Sequence, residues 1–297
     1  MKHIFLSCII LLFVLLTPIR AQVEVTPEDS ALVVSLLDRA MTERGEENRM
    51  LYFGRQFLGL PYVAHTLERG TSEHLIVNLH EFDCTTFVET VAALALCDKA
   101  GQRAFRDYCR WLTALRYRDG QLTDYTSRLH YFTWWGEDNE KKGLLECINQ
   151  DTKTAAFYKT LITEKLFNTV QTLNLNYMTS HPEQYKHLKT HPEYVDVIRE
   201  YERVSSGRSY RYIPKKLVGQ RQSGTLGIIK DGDILAMITS KPGLDTSHIG
   251  IAVWQNGRLH LLNASNIYKK VVLDTQTLYT YQQKQASQLG IRVFRLK

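Results

Sequence analysis

The stretch Phe82-Asp83-Cys84-Thr85-Thr86-Phe87-Val88-Glu89 decides the fold of this chain, because it joins a helix start to a strongly apolar continuation. Asp83 is suited to cap a helix that begins at the next residue. The apolar pattern continues to Ala95 with helical spacing, so we predict a long helix with a buried face from this point.

Cys84 is a candidate nucleophile because it stands at the start of that helix. Free N–H groups and the positive end of the helix dipole favour a thiolate, so we expect a lowered thiol pKa. The same N–H groups are suited to hold an oxyanion. The alternative is a small buried residue, which is the common fate of a lone cysteine and the interpretation we give Cys97 and Cys109.

A nucleophilic cysteine needs a base, and the candidate is His248 at the head of an apolar strand. Asn256-Gly257 follows that strand and predicts a hairpin whose second strand runs through 259–265. A polar side chain on the returning strand would orient the imidazole. His260 and Asn263 are both candidates, but they lie three positions apart and so face opposite sides of a regular strand.

Helical patterns dominate the first two-thirds of the chain, whereas short strand-like runs separated by turn signals follow Asp231. This segregation predicts the α+β class, with the helix of Cys84 packed on an antiparallel sheet. The aromatic-rich stretch 121–143 is predicted to be irregular. Two near-repeats, Ser180-His181-Pro182-Glu183 and Thr190-His191-Pro192-Glu193, match a capping box and predict two helix starts.

The N-terminus carries the pattern of a secretory signal peptide. An apolar run from Ile4 to Leu16 follows Lys2, and Ala21 supplies the small residue at the expected cleavage site. We therefore predict that residues 1–21 are a signal peptide, that 22–297 form a single domain, and that the protein is exported to the periplasm. No later apolar run is long enough to span a membrane.

Composition excludes several classes of protein. The chain has 297 residues and a net charge of +6, which falls to +4 without the signal peptide. So mild a charge gives no argument for nucleic-acid binding. The four remaining cysteines are too few for a disulfide scaffold in a chain of this size, and no Cys-x-x-C pair suggests a zinc ribbon.

Taken together, these motifs resemble the NlpC-type cell-wall amidases, which belong to the papain-like cysteine peptidase superfamily. The resemblance rests on the order and spacing of short stretches and covers residues 47 to the end. The stretches are Pro61-Tyr62, Phe82 to Glu89, Arg128-Leu129-His130-Tyr131, Tyr212-Ile213-Pro214, Gly232-Asp233-Ile234, Gly243 to Gly250 and Asn263-Ala264-Ser265. The fuller pattern is similar to the N-acetylmuramoyl-L-alanine amidases that process anhydro-muropeptides.

The resemblance implies a papain-like core with extra N-terminal helices, Cys84 as nucleophile, His248 as general base and Asn263 as the third catalytic residue. The superfamily often has histidine in that third place, so this chain departs from the common form. An amide oxygen still accepts from the imidazole N–H, as in Cys-His-Asn peptidases. His260 stays open as the alternative.

Substrate-binding candidates surround these residues. The resemblance places Tyr62 near the thiolate. The aromatic stretch offers flat faces for a sugar, although core packing of the same rings is the alternative. Arg128 offers a fork for a carboxylate or carbonyl. The predicted substrate-binding residues are Tyr62, Asp83, Arg128, Tyr131, Trp135, Asp245 and Ser247.

The predicted function is hydrolysis of the amide bond between N-acetylmuramic acid, in its 1,6-anhydro form, and L-alanine of the stem peptide. The enzyme is expected to act on muropeptides as a monomer without a metal or cofactor. An alternative is cleavage of γ-D-glutamyl-diaminopimelate at the same site. Two others are a metal amidase built on His248, His260 and an acid, and a glycan-binding domain that uses the aromatic stretch.

Overall fold

The computed structural model describes residues 23–45, 48–149, 169–218 and 228–297. The predicted signal peptide, residues 1–21, lies outside these ranges. Within them, no helix combines the length and the apolar character needed to cross a membrane.

The helices lie mostly in the first part of the chain, as the apolar periodicity predicts. They are α1 (Pro27–Thr42), α2 (Arg49–Arg55), α3 (Cys84–Lys99), α4 (Phe105–Arg116), α5 (Phe132–Lys141), α6 (Tyr177–Ser180), α7 (Lys186–Thr190), α8 (Glu193–Ser205) and α9 (Leu278–Gln283). Thr26 caps α1, with its hydroxyl accepting from the N–H of Asp29 at 3.1 Å. This cap satisfies a backbone donor that would otherwise have no partner.

The strands include two short pairs and one large sheet. They are β1 (Val23–Glu24), β2 (Leu75–Ile76), β3 (Leu145–Cys147), β4 (Val170–Thr172), β5 (Ser209–Arg211), β6 (Ile213–Pro214), β7 (Ile234–Thr239), β8 (Thr246–Gln255), β9 (Arg258–Ser265), β10 (Lys270–Leu273) and β11 (Gln288–Leu296). The large sheet is antiparallel in the order β10-β9-β8-β7-β11-β3, with β6 also paired to β11. β1 pairs with β2, and β4 pairs with β5.

The predicted hairpin at Asn256-Gly257 joins β8 to β9. Both turn residues have positive φ, 50° at Asn256 and 70° at Gly257. A two-residue turn with this geometry matches the twist of the flanking strands, and asparagine and glycine tolerate it best. The turn therefore sets the register in which β9 returns along β8.

Helix α3 is the centre of the molecule and packs on the sheet. It contacts α1, α2 and α4 on one side and β8 and β9 on the other. Its only charged residue between Asp83 and Asp98 is Glu89, which is buried and accepts from Nε of Arg116 at 2.7 Å. Pairing is what makes a carboxylate tolerable at such a position.

Two local predictions are wrong. The stretch 132–141 forms α5 rather than an irregular segment. The capping boxes at Ser180 and Thr190 do not form, because each residue ends a short helix instead of starting one. The Thr190 hydroxyl donates back to the carbonyl of Lys186 at 3.1 Å, which is the local bond that competes with a cap.

Candidate active site

Cys84 is the first residue of α3, as predicted, and its side chain is partly exposed in a cleft. Asp83 forms a capping box with Thr86: its carboxylate accepts from the N–H groups of Thr85 at 3.0 Å and Thr86 at 2.8 Å. This cap fixes the first turn, and with it the direction of the thiol. The other described cysteines, Cys97, Cys109 and Cys147, are buried.

His248 lies on β8 and faces the same cleft as Cys84. Its Nε2 lies 2.9 Å from Oδ1 of Asn263 on β9, so Nε2–H donates to the amide oxygen. This bond leaves Nδ1 as the basic nitrogen. A β-bulge between Met237 and Ile238 of the neighbouring strand changes the pairing beside His248, and bulges of this kind often redirect side chains at active sites.

Gly250 makes the contact between these two residues possible. In the register of β8 with β9 it faces Asn263, and a Cβ at Gly250 would come within 2.9 Å of the Asn263 Cβ. His248 lies two residues away on the same face. The missing side chain therefore leaves the space through which Asn263 reaches diagonally across to the imidazole.

His260 is turned away from the site. Its Nδ1 lies 2.9 Å from the main-chain oxygen of Asp274, and in the sheet it pairs with Val253 rather than with the residues near His248. Five residues of strand separate these positions, which is about 16 Å. This separation contradicts the alternative in which His248 and His260 share a metal. In the described ranges, no group of three His, Cys, Asp or Glu residues could hold a metal ion.

We expect Asn263→Ala to lower kcat/KM by about 100-fold, because the imidazole loses the partner that sets its tautomer and direction. His260→Ala serves as the matched control on the same strand and should change kcat/KM by less than about threefold. Steady-state kinetics on one muropeptide measure both. A larger loss at His260 would contradict the assignment.

The charge states of the pair differ from the sequence prediction. Burial raises the pKa of the Cys84 thiol to about 12, and the nearby Asp83 carboxylate adds to this rise. The N–H of Ile249 and the Thr85 hydroxyl act in the opposite direction without cancelling it. Burial also lowers the pKa of His248. The prediction of a lowered thiol pKa is therefore wrong, because desolvation of the sulfur outweighs the hydrogen bonds that lower the pKa.

An uncharged Cys84 thiol beside an uncharged His248 imidazole has a measurable consequence. We expect the rate of Cys84 alkylation by iodoacetamide to rise steadily from pH 6 to pH 10, because only the thiolate reacts and its fraction grows with pH. Mass spectrometry of the intact protein follows the reaction, and Cys84→Ala corrects for other thiols. A rate that is flat between pH 5 and pH 8 would instead indicate a preformed thiolate–imidazolium pair.

The cleft has a volume of about 190 Å³ and an aromatic wall. Tyr131 and Trp135, both predicted substrate residues, line it but are almost fully buried. The Tyr131 hydroxyl donates to Glu202 at 2.6 Å, and Trp135 stacks on Phe132 with ring centroids 5.0 Å apart. These two rings form the base of the wall, so core packing accounts for most of their surface.

Arg128 does not line the cleft, so the structure argues against its predicted role in substrate binding. The buried guanidinium donates to Glu73 through Nε at 2.9 Å, to Glu68 through Nη1 at 2.6 Å and to the carbonyl of Leu67 at 3.1 Å. Nη2 also pairs with Glu73. The Arg128 guanidinium does bind carboxylates as predicted, but these are the side chains of Glu68 and Glu73 and not a substrate group.

Asp245 and Ser247 both line the cleft, but they differ in burial and in the hydrogen bonds that they make. Asp245 is buried, and its carboxylate accepts from the N–H of Thr133 at 2.6 Å, so it caps α5 from a distant part of the chain. Its main-chain oxygen accepts from Gln171 at 3.0 Å. Ser247 is exposed and its hydroxyl makes one bond, of 3.3 Å, to the Met237 carbonyl. Ser247 is thus the freer of the two to meet a substrate.

Tyr62 lies close to the nucleophile, as the family resemblance implies. Burial raises the pKa of its phenol to about 12, with smaller contributions from Cys84 and Asp83. Its main-chain N–H donates to Lys269 at 3.0 Å, which ties the Tyr62 loop to the β9–β10 turn. The phenol therefore stays protonated, and its O–H can donate a hydrogen bond.

Two further residues, one beside the ring of His248 and one lining the cleft, were not predicted as site residues. Tyr281 of α9 has its ring centroid 6.3 Å from that of His248, and burial raises the pKa of its phenol, with a smaller contribution from Cys84. His130 lines the cleft, and its Nε2 lies 2.8 Å from the Tyr125 carbonyl. Only His130 gave a usable signal, since it lies within a stretch that carries the family resemblance.

A larger cavity of about 450 Å³ lies elsewhere, between α2 and the start of β7. Its walls include Asn48, Lys230 and Arg295 but none of the predicted site residues. The 190 Å³ cleft is therefore the candidate active site, on chemistry rather than on size.

The sequence and the fold both match known proteins. The family model described as "AmiA-like: N-acetylmuramoyl-L-alanine amidase-like" matches residues 52–291, so the chain belongs to this family. It is therefore an enzyme of the N-acetylmuramoyl-L-alanine amidase type, which confirms the predicted class of hydrolase.

Solved structures share the fold of this chain, and one of those described below is named as an amidase of the same kind. An N-acetylmuramoyl-L-alanine amidase from Bacteroides uniformis ATCC 8492 is 37% identical, with a TM-score of 0.75 over 84% of this chain and 97% of that one. A putative xylanase from Bacteroides fragilis is 42% identical, with a TM-score of 0.72 over 82% and 98% of the two chains. A Legionella pneumophila str. Philadelphia 1 protein, 20% identical, shares the fold with a TM-score of 0.68 over 91% and 94%. No curated protein sequence matches.

Proposed function

We propose that the protein cleaves the amide bond between the lactyl group of N-acetylmuramic acid and L-alanine through a thioester on Cys84. The observation that carries this proposal is the arrangement of the cleft, which Cys84 and His248 line together while Asn263 accepts a hydrogen bond from His248. A nucleophile, a base and a residue that orients the base are the parts that acyl transfer requires.

The proposed reaction has two steps. His248 takes the proton of Cys84 as the sulfur attacks the lactyl carbonyl, and the N–H of Cys84 helps to hold the oxyanion. The carbon–nitrogen bond then breaks while His248 returns the proton to the leaving amine of L-alanine. Water, activated by the same imidazole, hydrolyses the thioester, releases the muramoyl acid and restores the thiol.

The finer features are proposed on the family resemblance. They comprise a papain-like core within a single domain over 22–297, a preference for the 1,6-anhydro form of the sugar, and action as a monomer without a cofactor. Export to the periplasm is proposed from the signal-peptide pattern, because muropeptides are released where the murein lies.

A glycosidase function, which the name of one structural neighbour suggests for that neighbour, does not fit this cleft. Glycoside hydrolysis usually needs two carboxylates on opposite sides of the scissile bond. Among the described residues that line the cleft, Asp245 is the one acidic residue, and its carboxylate caps α5. The site therefore lacks the acid–base pair.

Mass spectrometry of a digested disaccharide tetrapeptide tests the proposal. We expect a free disaccharide and an intact stem peptide. A cut between D-glutamate and diaminopimelate would support the endopeptidase alternative and contradict the proposal. Parallel digests of anhydro and reducing muropeptides test the preference for the anhydro end.

A further inference from the structure

His130 occupies the cleft without being part of the catalytic arrangement. It precedes the aromatic wall and lines the cleft together with Cys84 and His248. Its ring lies against Tyr125, with centroids 4.4 Å apart, and Tyr125 in turn stacks on His187 at 4.6 Å. The imidazole is therefore held on its face by a packed aromatic cluster rather than moving freely.

The hydrogen bond of this imidazole fixes which nitrogen carries the proton. Nε2 lies 2.8 Å from the main-chain oxygen of Tyr125, and a carbonyl oxygen can only accept. Nε2 must therefore be protonated, and in a neutral ring Nδ1 is then a hydrogen-bond acceptor. Burial and the nearby charge of Arg128 lower the pKa of His130 well below its ordinary value, so the ring stays neutral at physiological pH.

Nδ1 of His130 is an acceptor without a partner in the described ranges. Among the described residues, no side chain or main-chain group bonds to Nδ1 of His130, and the residue is only partly buried. Nearby Arg128 and Arg118 carry positive charge, which makes a cationic partner unfavourable. The fitting partner is a neutral N–H or O–H donor of the substrate.

We infer that Nδ1 of His130 accepts a hydrogen bond from the acetamido N–H of the muramoyl residue and so selects N-acetylated substrates. This inference rests on the proposed function. In N-acetylmuramic acid the acetamido group at C2 is adjacent to the lactyl ether at C3, whose carbonyl Cys84 attacks. The group that His130 recognises therefore enters the same cleft as the scissile bond.

Two substrates test the inference: a muropeptide, and an analogue in which oxygen replaces the acetamido nitrogen, so that it has no N–H to donate. The wild-type enzyme should show a KM about tenfold lower for the muropeptide, with kcat changed by less than about threefold. Equal KM values for the two substrates would overturn the inference, and this comparison needs no variant.

Variants separate recognition from packing. His130→Phe keeps a ring against Tyr125 but loses the acceptor, so it should raise KM about tenfold for the muropeptide and leave KM for the analogue unchanged. His130→Gln retains an amide donor and acceptor and should stay within about threefold of wild type. His187→Phe is the matched control, because His187 packs on the same tyrosine outside the cleft.

A His130→Phe variant with equal losses on both substrates would show a structural role and overturn the inference. The proposed function fails in a different way: mass spectrometry would show that the wild-type enzyme leaves the lactyl amide intact. The two failures are therefore distinguishable within one set of digests.

Discussion

Turnover of a muropeptide is expected to fall by about 10⁴-fold or more when Cys84 is replaced by alanine, because the reaction loses the atom that forms the thioester. The fold should remain, since the side chain is partly exposed and Asp83 continues to cap α3 through main-chain N–H groups. Product release followed by mass spectrometry gives the rate, and thermal unfolding confirms the fold.

Cys97→Ala is the matched control in the same helix. Cys97 is fully buried, so its replacement should cost about 1 kcal/mol of stability and leave kcat unchanged. If Cys84→Ala kept substantial activity, the thioester mechanism would be wrong. Binding without any turnover in the wild-type enzyme would instead support a glycan-binding domain.

The second large effect is expected at Arg128. Replacing it with leucine should destabilise the protein by about 3–5 kcal/mol, because Glu73 and Glu68 lose the cation that balances their charge in a mostly buried setting. For a domain of this size the loss corresponds to a Tm lower by about 10 °C. Under conditions where the variant is folded, KM should be unchanged.

Two further variants test this prediction, one as a control and one as a partial rescue of stability. Arg199→Leu removes an exposed arginine, 56% accessible and paired only on the surface with Asp196, and should change stability by less than about 0.5 kcal/mol. Arg128→Leu combined with Glu73→Leu should recover part of the loss. An unchanged Tm with a raised KM would restore Arg128 as a substrate-binding residue.

The parts that could be predicted from the sequence are those with local causes. A capping aspartate followed by an apolar helical pattern gave the position of Cys84 at the start of α3. Asn-Gly between two apolar runs gave the β8–β9 hairpin, and the strand period of two showed that His260 and Asn263 could not both face His248. In each case the decisive residues lie within about ten positions of one another.

The parts that could not be predicted depend on distant residues. Helix α5 has no side-chain cap of its own, and its cap is supplied by Asp245, 112 residues further along the chain. Arg128 pairs with glutamates 55 and 60 residues away, so the sequence around Arg128 could not indicate this structural role. The thiol pKa likewise depends on burial that only the assembled cleft creates.

The cap that Asp245 provides has a mechanical consequence. Asp245 lies three residues before His248 and caps the N-terminus of α5. The aromatic wall and the general base are therefore both positioned by Asp245. Strand β4 is fastened to the same residue through Gln171. The width of the cleft is thus a fixed dimension of the enzyme. A bulkier or slimmer fragment would therefore require changes in the side chains along the wall, because the wall itself is anchored beside the base.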